Sequence, residues 1–293
     1  MNHAFLITVH KYPEQLSEIV RVLDAPNHYF FIHIDKKFYV ELVQSRFIQN
    51  LKCMKNVFVI SCVSVNWGGY SQVLATLELM KETEKRSVVF SFYHFISGQD
   101  YPLVNNETFD RFFEKYKDNS FVEIDDRPYT ERYDLYHLND VVNVLSFPYN
   151  KIEGALAKLQ KVVNRLVRLR ESVGFKIYKG SNWWSINKDM FDYIKLFLRE
   201  NKDYIGRFRH TSCCDEIFFH TIMFNSAWKK SIVTDNLRYV DWHRKYKNDT
   251  LPRVLDETDY ERIINTSSFF CRKIDPVISS KLKDKILKRI EEM

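Results

Sequence analysis

Four apolar runs, rich in β-branched and aromatic side chains, constrain the fold of this chain more than any other feature. Consecutive positions within them are apolar, so each run predicts a strand that is buried on both faces. Helical patterns lie between them, at Glu14–Leu23, Phe38–Gln49 and Ser71–Lys81. Strands that alternate with helices form a parallel sheet with helices on both sides. The first half is therefore predicted to be α/β, with strands at Phe5–Val9, Tyr29–Ile34, Val57–Cys62 and Val88–Ile96.

The pattern becomes mixed after about residue 120. Ser120–Ile124 and the segment Phe175–Ile186 predict strands, while Lys151–Glu171 and Asp215–Phe224 predict helices. No linker rich in Pro, Gly or Ser separates the two halves, so we predict one continuous unit over residues 1–293.

Composition excludes several classes of protein. Aromatic residues make up 15 % of the chain, which is too many for a disordered protein. The formal net charge of +6 is modest, and no nucleic-acid-binding motif occurs, so we expect no nucleic-acid partner. The apolar runs are shorter than the roughly 18 residues that a membrane span requires. A strand follows Met1 almost directly, without a signal-peptide pattern, and the five cysteines are odd in number. A cytoplasmic protein with reduced thiols is the resulting expectation.

Polar and aromatic residues follow the predicted parallel strands. The functional loops of such a sheet lie at the carboxyl ends of its strands. Here those ends are His10-Lys11, Asp35-Lys36-Lys37, Asn66–Tyr70 and Gly98-Gln99-Asp100. The glycine-rich fingerprints of dinucleotide-binding proteins and P-loop enzymes are both absent. We therefore predict a binding site at this edge that uses neither fingerprint.

Two acidic motifs are candidates for chemistry. Ser212 and Asp215 have the spacing of a helix capping box, which leaves Glu216, a second acid among bulky apolar residues, as a candidate general base. Glu123 and Asp125 lie at a predicted strand end and are alternatives for a divalent metal site, although an acidic surface turn is the favoured interpretation. The group His210, Cys213, Cys214 and His220 lacks the spacing of a zinc site.

Other residues are candidates for ligand contacts or surface docking. The tryptophans at 67, 183, 184 and 242 could stack on a sugar or a base, and Arg253, Arg272 and Lys273 could pair with phosphate. Lys151–Arg170 and Lys281–Arg289 are basic amphipathic stretches. They predict either helices with a solvated basic face or peripheral contact with a membrane.

Eight segments in order resemble the core-2/I-branching β-1,6-N-acetylglucosaminyltransferases, glycosyltransferase family 14, which also includes the peptide-O-xylosyltransferases. The resemblance covers nearly the whole chain and is closest to a minimal, bacterial-type catalytic domain. The matching segments are Leu6–Lys11, Phe31–Lys37, Trp67–Val73, Ile96–Leu103, Gly180–Trp184, Cys214–Glu216, Arg238–Trp242 and Phe270–Pro276.

The resemblance implies a GT-A type, Rossmann-like fold, with a nucleotide-sugar half at 1–120 and an acceptor and catalytic half at 121–293. It also implies an inverting transferase with a UDP-sugar donor, a glycan acceptor and no metal. Glu216 looks like the catalytic base. Lys273 looks like a diphosphate contact with Arg253 as its companion, while Arg238 and Arg262 stay open as alternatives. Further residues that the resemblance places at the donor are Thr8, Val9, His10, Asp35, Lys36, Lys37, Trp67 and Asp100, and those at the acceptor are Glu131, Trp184 and Trp242.

The expected reaction is transfer of N-acetylglucosamine in a β-1,6 linkage, with Glu216 as the base and Arg253 and Lys273 stabilising the departing UDP. Xylose or another UDP-sugar, a metal-dependent enzyme that uses Glu123 and Asp125, and a non-catalytic glycan-binding protein are the alternatives. We expect action on the cytoplasmic face of a membrane, with a lipid-linked glycan as one candidate acceptor.

Overall fold

The computed structural model describes residues 1–125, 127, 130–140, 151–166, 170, 174–245 and 250–293. The strands in these residues are β1 (His3–Val9), β2 (His28–Ile34), β3 (Val57–Ile60), β4 (Phe92–Ser97), β5 (Tyr101–Pro102), β6 (Ser120–Val122), β7 (Trp184–Asn187), β8 (Ile232–Val233), β9 (Arg238–Val240) and β10 (Phe270–Arg272). The α-helices are α1 (Pro13–Leu23), α2 (Tyr39–Val43), α3 (Arg46–Lys52), α4 (Ser71–Glu84), α5 (Asn106–Lys115), α6 (Thr130–Asp134), α7 (Lys151–Leu166), α8 (Lys188–Glu200), α9 (Lys202–Phe208), α10 (Phe218–Phe224), α11 (Tyr260–Ile264) and α12 (Ser280–Glu291).

The main sheet, as far as the chain is described, has seven strands in the order β3-β2-β1-β4-β7-β6-β8. β3, β2, β1 and β4 are mutually parallel, and β7 runs antiparallel to both β4 and β6. A smaller sheet has the order β5-β10-β9. The four predicted parallel strands are confirmed, because each one overlaps its apolar run. The mixed α/β class of the fold is confirmed with them.

Both faces of the parallel strands are covered, as their composition predicts. In β1, Phe5 and Ile7 belong to the core on one face, whereas Ala4 and Leu6 belong to the core on the other face. This division follows from the alternation of side chains along a strand. Helices α1, α5 and α12 contribute to the first core, and α4, α8 and α10 contribute to the second. The parallel strands are thus packed between two apolar layers.

The predicted helices occur at the expected positions, but their bounds and caps differ from the prediction. The predicted helix at Phe38–Gln49 is divided into α2 and α3, because Ser45 caps a new helix by accepting a hydrogen bond from the Phe47 N–H. The predicted capping box before α10 is wrong: a 3-10 turn covers Cys214–Glu216, and its N-cap residue, Cys213, has φ 46° and makes no side-chain cap.

Three histidines lie at the amino-terminal edge of the parallel strands. His3, His28 and His94 are each 0 % exposed and lie among Phe5, Phe109 and related rings. Burial lowers the pKa of His94 well below its ordinary value and, helped by the neighbouring His28, lowers the pKa of His3 to about 3. His3 and His94 are therefore neutral imidazoles at pH 7.

Helices in the described part of the chain are all too short or too polar to span a bilayer. Cys53, Cys62, Cys213, Cys214 and Cys271 are free thiols, of which the first two are exposed.

Candidate active site

The loops after β1 and β2 are joined at the carboxyl edge of the sheet by Asp35. Its backbone N–H donates to the Val9 carbonyl at 2.9 Å, and its buried carboxylate accepts from the N–H groups of Lys37 and Val65 at 3.0 and 3.1 Å. Asp35 therefore shapes the loops, whereas Lys36 and Lys37 beside it are exposed. The same edge is reached by Thr8, which is half-buried, and by Val9, which is buried.

A group of cations lies where β1 and β10 end. The Ile274 N–H donates to the Gln99 carbonyl at 3.0 Å, which fixes the Lys273 segment against the loop after β4. Burial and the charges of Lys11 and Arg272 lower the pKa of Lys273. Desolvation and the charges of Lys11, Lys273 and Lys37 lower that of His10. Mutual repulsion between half-buried cations costs free energy, and an anionic group bound there would relieve it.

Asp100 has a different position from the one predicted. It is 0 % exposed, accepts from the Ser97 N–H and Oγ at 2.6 and 2.7 Å, and receives the Arg272 guanidinium at 3.2 Å on both carboxylate oxygens. A carboxylate with these partners cannot also touch a bound donor. The prediction of a direct donor contact is corrected: Asp100 positions Arg272, which also lies 4.2 Å from the ring centre of Trp183.

The five N–H groups of Arg253 are all engaged. Asp241 accepts from Nε and one terminal nitrogen at 3.1 and 2.6 Å. Asp259 accepts from both terminal nitrogens at 2.9 and 2.6 Å, and the Val254 carbonyl takes the remaining donor at 3.2 Å. These bonds raise the pKa of Arg253, Asp259 contributing most. In this arrangement the buried Arg253 has no donor left for a phosphate, so its predicted role is corrected to one of holding Asp241 and Asp259.

The two alternative arginines differ in exposure. Arg238 is fully buried and donates to the Phe95 carbonyl at 2.7 Å, whereas Arg262 is 62 % exposed and pairs with Asp259. Neither of them is among the charges that act on Lys273, whereas Arg272 is. Arg272 and Lys11 are therefore the cations that the structure brings together with Lys273.

Glu216 lies at the end of the 3-10 turn with 30 % of its side chain exposed. Arg132 donates to Oε2 at 2.6 Å, and Lys179 Nζ lies 3.4 Å from the same oxygen. Oε1 is the oxygen that neither of these contacts uses. The two cations hold the carboxylate in one orientation while a molecule in solution can still reach it, which is the geometry that a general base requires. Sequence reasoning missed both partners, which lie 84 and 37 positions from Glu216.

A short segment connects Glu216 to the cation group. The Gly180 N–H donates to the Glu216 carbonyl at 2.9 Å, and three residues later Trp183 lies under Arg272. Gly180 is required by close approach, since a Cβ there would overlap the Glu123 carbonyl and would lie 2.6 Å from His220 Nε2. The base candidate and the cation group are therefore connected through residues 180–183.

The loop that carries Trp67 is attached to the turn that carries Glu216. The Cys213 N–H donates to the Gly68 carbonyl at 2.8 Å, which ties this loop to the 3-10 turn of Glu216. Gly68 itself has φ 70°, a conformation that favours glycine. Trp67 is 61 % exposed and so presents a ring on which a base or a sugar can stack.

The predicted acceptor residues divide into two groups. Trp184 is 1 % exposed in the core of β7, so its prediction as an acceptor contact is corrected, whereas its neighbour Trp183 is half-buried and lies against Arg272. Trp242 is 61 % exposed, and Glu131 is exposed on α6 next to Arg132, the partner of Glu216. The roles of Trp242 and Glu131 stay predictions.

Asp215 is buried next to Glu216. Gln72 donates to its Oδ2 at 3.2 Å, while Oδ1 has no hydrogen-bond partner among the described residues. Burial, and then the charge of Glu216, raise the pKa of Asp215 to about 7. Asp215 therefore carries a proton over part of the neutral range.

Asp125, one of the two acidic residues predicted as an alternative metal site, is already paired with two cations. Arg127 donates to both carboxylate oxygens of Asp125 at 2.9 and 2.8 Å, and Lys179 lies 3.1 Å away. These contacts, the one with Arg127 foremost, lower the pKa of Asp125. Desolvation and the nearby carboxylates of Asp235 and Asp125 raise the pKa of Glu123. A metal ion at Asp125 would have to displace two cations; Asp126 lies outside the described residues.

Comparison with known proteins gives one family and a consistent set of relatives. The model of the family described as Core-2/I-Branching enzyme matches residues 3–264. Xylosyltransferase 1 of Rattus norvegicus is 24 % identical over 296 residues, a match that covers 95 % of this chain and 34 % of the relative. Xylosyltransferase oxt of Drosophila pseudoobscura pseudoobscura is 23 % identical over 303 residues, which cover 94 % and 32 %. This chain spans about a third of the length of the curated relatives that it matches.

One solved structure that resembles the chain is the crystal structure of mouse Xyloside xylosyltransferase 1 in its apo form. Its TM-score is 0.40 at 8 % identity, with 92 % of this chain and 96 % of that chain covered.

Proposed function

Because the chain belongs to the Core-2/I-Branching enzyme family, we propose that it transfers a sugar from a UDP-sugar to a hydroxyl group of a glycan with inversion at the anomeric carbon. The resemblance seen in the sequence is confirmed by the family match. The proposal is supported most by Glu216, a reachable carboxylate oriented by Arg132 and Lys179 and joined through Gly180 to the cations around Lys273.

In the proposed mechanism Glu216 takes the proton of the acceptor hydroxyl through Oε1. The hydroxyl oxygen then attacks C1 of the donor from the face opposite UDP. Negative charge develops on the departing diphosphate, and preorganised cations stabilise it. Lys273 supplies one such cation, with Lys11 and Arg272 beside it. No step in this mechanism requires a metal ion.

For the donor sugar we propose N-acetylglucosamine in a β-1,6 linkage, with xylose as the second candidate. The resemblance of the sequence to the β-1,6-N-acetylglucosaminyltransferases supports the first, and the names of the relatives, several of which are xylosyltransferases, favour the second. The test is transfer from UDP-N-acetylglucosamine, UDP-xylose, UDP-glucose and UDP-galactose to a panel of glycans, measured as released UDP and as product mass. Product with inverted C1 is expected from one of the first two donors. Absence of both transfer and UDP-sugar binding over the panel would overturn the proposal, whereas binding without turnover would favour a glycan-binding protein.

We also propose peripheral contact with an anionic membrane through α7, on the cytoplasmic side. Gln160 Oε1 accepts from the Leu138 N–H at 3.0 Å, and Asn164 Oδ1 accepts from the Tyr136 N–H at 2.9 Å, so amide side chains attach this helix to the protein. Its apolar residues Leu159 and Leu166 are 53 % and 79 % exposed. Among the side chains of α7 that the structure describes, Lys158, Lys161 and Arg165 are basic and exposed.

An apolar helix face flanked by lysine and arginine suits a surface of anionic lipids, and the exposed thiols Cys53 and Cys62 suit a reducing compartment. Vesicles of phosphatidylglycerol are expected to sediment the protein, and vesicles of phosphatidylcholine much less. The variant with Leu159→Gln and Leu166→Gln should lose most of this binding. Equal sedimentation of the variant and the original chain would contradict the proposed contact.

A further inference from the structure

A second cluster of chemically active side chains lies at the opposite edge of the main sheet. His3 begins β1, His28 begins β2, and Asp110 lies on α5. The seven residues of β1 separate this edge from the loops of the candidate active site by about 20 Å. Nothing in the proposed transfer reaction uses these three residues.

The cluster has the dimensions of a metal site. His28 Nε2 and His3 Nε2 lie 2.8 and 3.4 Å from Asp110 Oδ1, and the three atoms all lie within 4.8 Å of one another. With bonds of about 2.0–2.2 Å, neighbouring ligand atoms of a tetrahedral zinc ion are about 3.3 Å apart. The contact between His28 and Asp110 has to widen by about 0.5 Å to admit the ion, whereas the distance from His3 to Asp110 already fits.

Hydrogen bonds at the Nδ1 atoms of His3 and His28 determine whether their Nε2 atoms can act as metal ligands. The Leu23 carbonyl accepts from His28 Nδ1 at 2.6 Å, so that nitrogen carries a proton. His3 Nδ1 lies 3.0 Å from His94 Nε2, and His94 Nδ1 lies 3.0 Å from Ser185 Oγ. When His94 donates to Ser185, it accepts from His3, and His3 Nε2 then turns a lone pair towards Asp110. Such second contacts orient histidine ligands in metal sites.

A proton alone does not satisfy this cluster. A proton between His28 Nε2 and Asp110 Oδ1 would account for their contact, but it leaves His3 Nε2 unused. That nitrogen is fully buried and has no hydrogen-bond partner among the described residues. A cation at the centre would give all three atoms a partner.

Asp110 adds a negatively charged ligand atom to the two histidine nitrogens and opens the cluster to solvent. Asn27 donates to its Oδ2 at 2.9 Å, which turns Oδ1 towards the histidines. Its side chain is 36 % exposed, so an ion can enter, and water can supply a fourth ligand.

We propose that His3, His28 and Asp110 bind one divalent transition-metal ion, Zn²⁺ in preference to Mg²⁺ or Ca²⁺. The ion would hold α5 against β1 and β2. Two imidazoles and one carboxylate are a donor set that suits Zn²⁺, whereas Mg²⁺ and Ca²⁺ require oxygen ligands.

The test starts with the protein stripped of metal by a chelator and then dialysed. We expect one equivalent of Zn²⁺ to bind in calorimetry, and Co²⁺ to give the visible absorption of a tetrahedral nitrogen and oxygen site. Saturation at about 100 times the Kd should raise the Tm by about 5 °C, because the ion binds the folded state. Mg²⁺ at the same concentration should leave the Tm unchanged.

Asp110→Asn is the informative variant, since it keeps the shape of the side chain and removes its charge. It should weaken Zn²⁺ binding at least 10-fold and abolish the Co²⁺ spectrum. Glu107→Gln is the matched control on the same helix: Glu107 is 77 % exposed and pairs only with Arg111 among the contacts described, and its loss should leave both signals intact. His3→Gln checks the buried ligand, and a refolded variant with native circular dichroism should also lose the Co²⁺ spectrum.

Any of three results would overturn the proposal. One is the absence of Zn²⁺ and Co²⁺ binding, which would leave His28 and Asp110 as a hydrogen-bonded pair. Another is binding that Asp110→Asn does not alter. The third is a Co²⁺ spectrum with thiolate bands, which would assign the metal to exposed thiols such as Cys53 and Cys62. The proposed transferase activity stands or falls by its own assay.

Discussion

The two edges of the main sheet both carry clusters of polar side chains, but these clusters differ in how far they are exposed. At the carboxyl edge Glu216, Lys273 and Trp67 are partly exposed, and loops from different strands surround them. At the amino edge His3 and His28 are fully buried beneath the rings of α5. Both edges place an ionisable group beside a partner of suitable chemistry, but the groups at the carboxyl edge are the more exposed.

This difference shows that exposure, as well as residue type, decides what a polar cluster can do. Cations that remain half-buried at one edge repel one another and so favour an anionic ligand. Imidazoles buried at the other edge can bind an ion of the size of a metal but nothing larger. The comparison therefore predicts catalytic effects at the carboxyl edge and effects on stability at the amino edge.

The largest effect is expected at Glu216. Glu216→Gln keeps the size of the side chain but removes the group that accepts the proton, so kcat should fall about 100-fold or more while the Kd for the UDP-sugar changes little. Steady-state rates and calorimetric titration with donor measure the two quantities. Glu107→Gln, a neutralised carboxylate on α5, is the control and should keep full activity. Near-normal transfer by Glu216→Gln would remove this residue from the role of base.

A smaller effect is expected at Lys273. Lys273→Ala removes a charged contact to the diphosphate and should weaken donor binding about 10-fold. Lys273→Arg should restore part of it. Because the pKa of Lys273 lies below that of an ordinary lysine, donor affinity should decline on the alkaline side at a lower pH than a lysine with an ordinary pKa would give. The arginine variant should move this decline to higher pH. If Lys273→Ala binds UDP as tightly as the original chain, the cation group has no role in donor binding.

The four parallel strands could be predicted because their composition directly expresses burial on both faces. Glu216 and the Trp67 loop could also be singled out, since an acid among apolar residues and a Gly-Gly turn are visible in the sequence. The carboxyl edge was thus found from general rules about parallel sheets.

Pairing between distant residues could not be predicted in the same way. Asp100 and Arg253 look like ligand contacts until their partners Arg272 and Asp259 are known. Trp183 and Trp184 are adjacent in sequence, and only the position of β7 decides which of them is buried. The members of the amino-edge cluster lie far apart in sequence and form no spacing motif, so folding alone brings them together.

A modest effect on stability is expected from Asp215, the buried acid of the carboxyl edge. Its pKa of about 7 lies above that of an unfolded chain, so between pH of about 4 and about 7 the folded state binds the proton more tightly. The contribution of Asp215 to the free energy of unfolding therefore declines as the pH rises through this range. Asp215→Asn should remove this decline, so that its Tm relative to the original chain increases by a few degrees from pH 4 to pH 7. Asp203→Asn, at an exposed position, is the control and should shift the Tm equally at both pH values.

The smallest effect on turnover is expected from removal of metal, and it separates the two edges most directly. In the proposed mechanism lysine and arginine stabilise the departing diphosphate, and Arg127 and Lys179 already hold the Asp125 carboxylate. Treatment with EDTA should therefore change kcat less than twofold at a temperature well below the Tm. The same treatment should lower the Tm of protein loaded with Zn²⁺ by about 5 °C, because the ion would be lost from the amino edge. A large loss of activity in EDTA that Mn²⁺ restores, and that Asp125→Asn makes permanent, would instead assign a catalytic metal to the carboxyl edge.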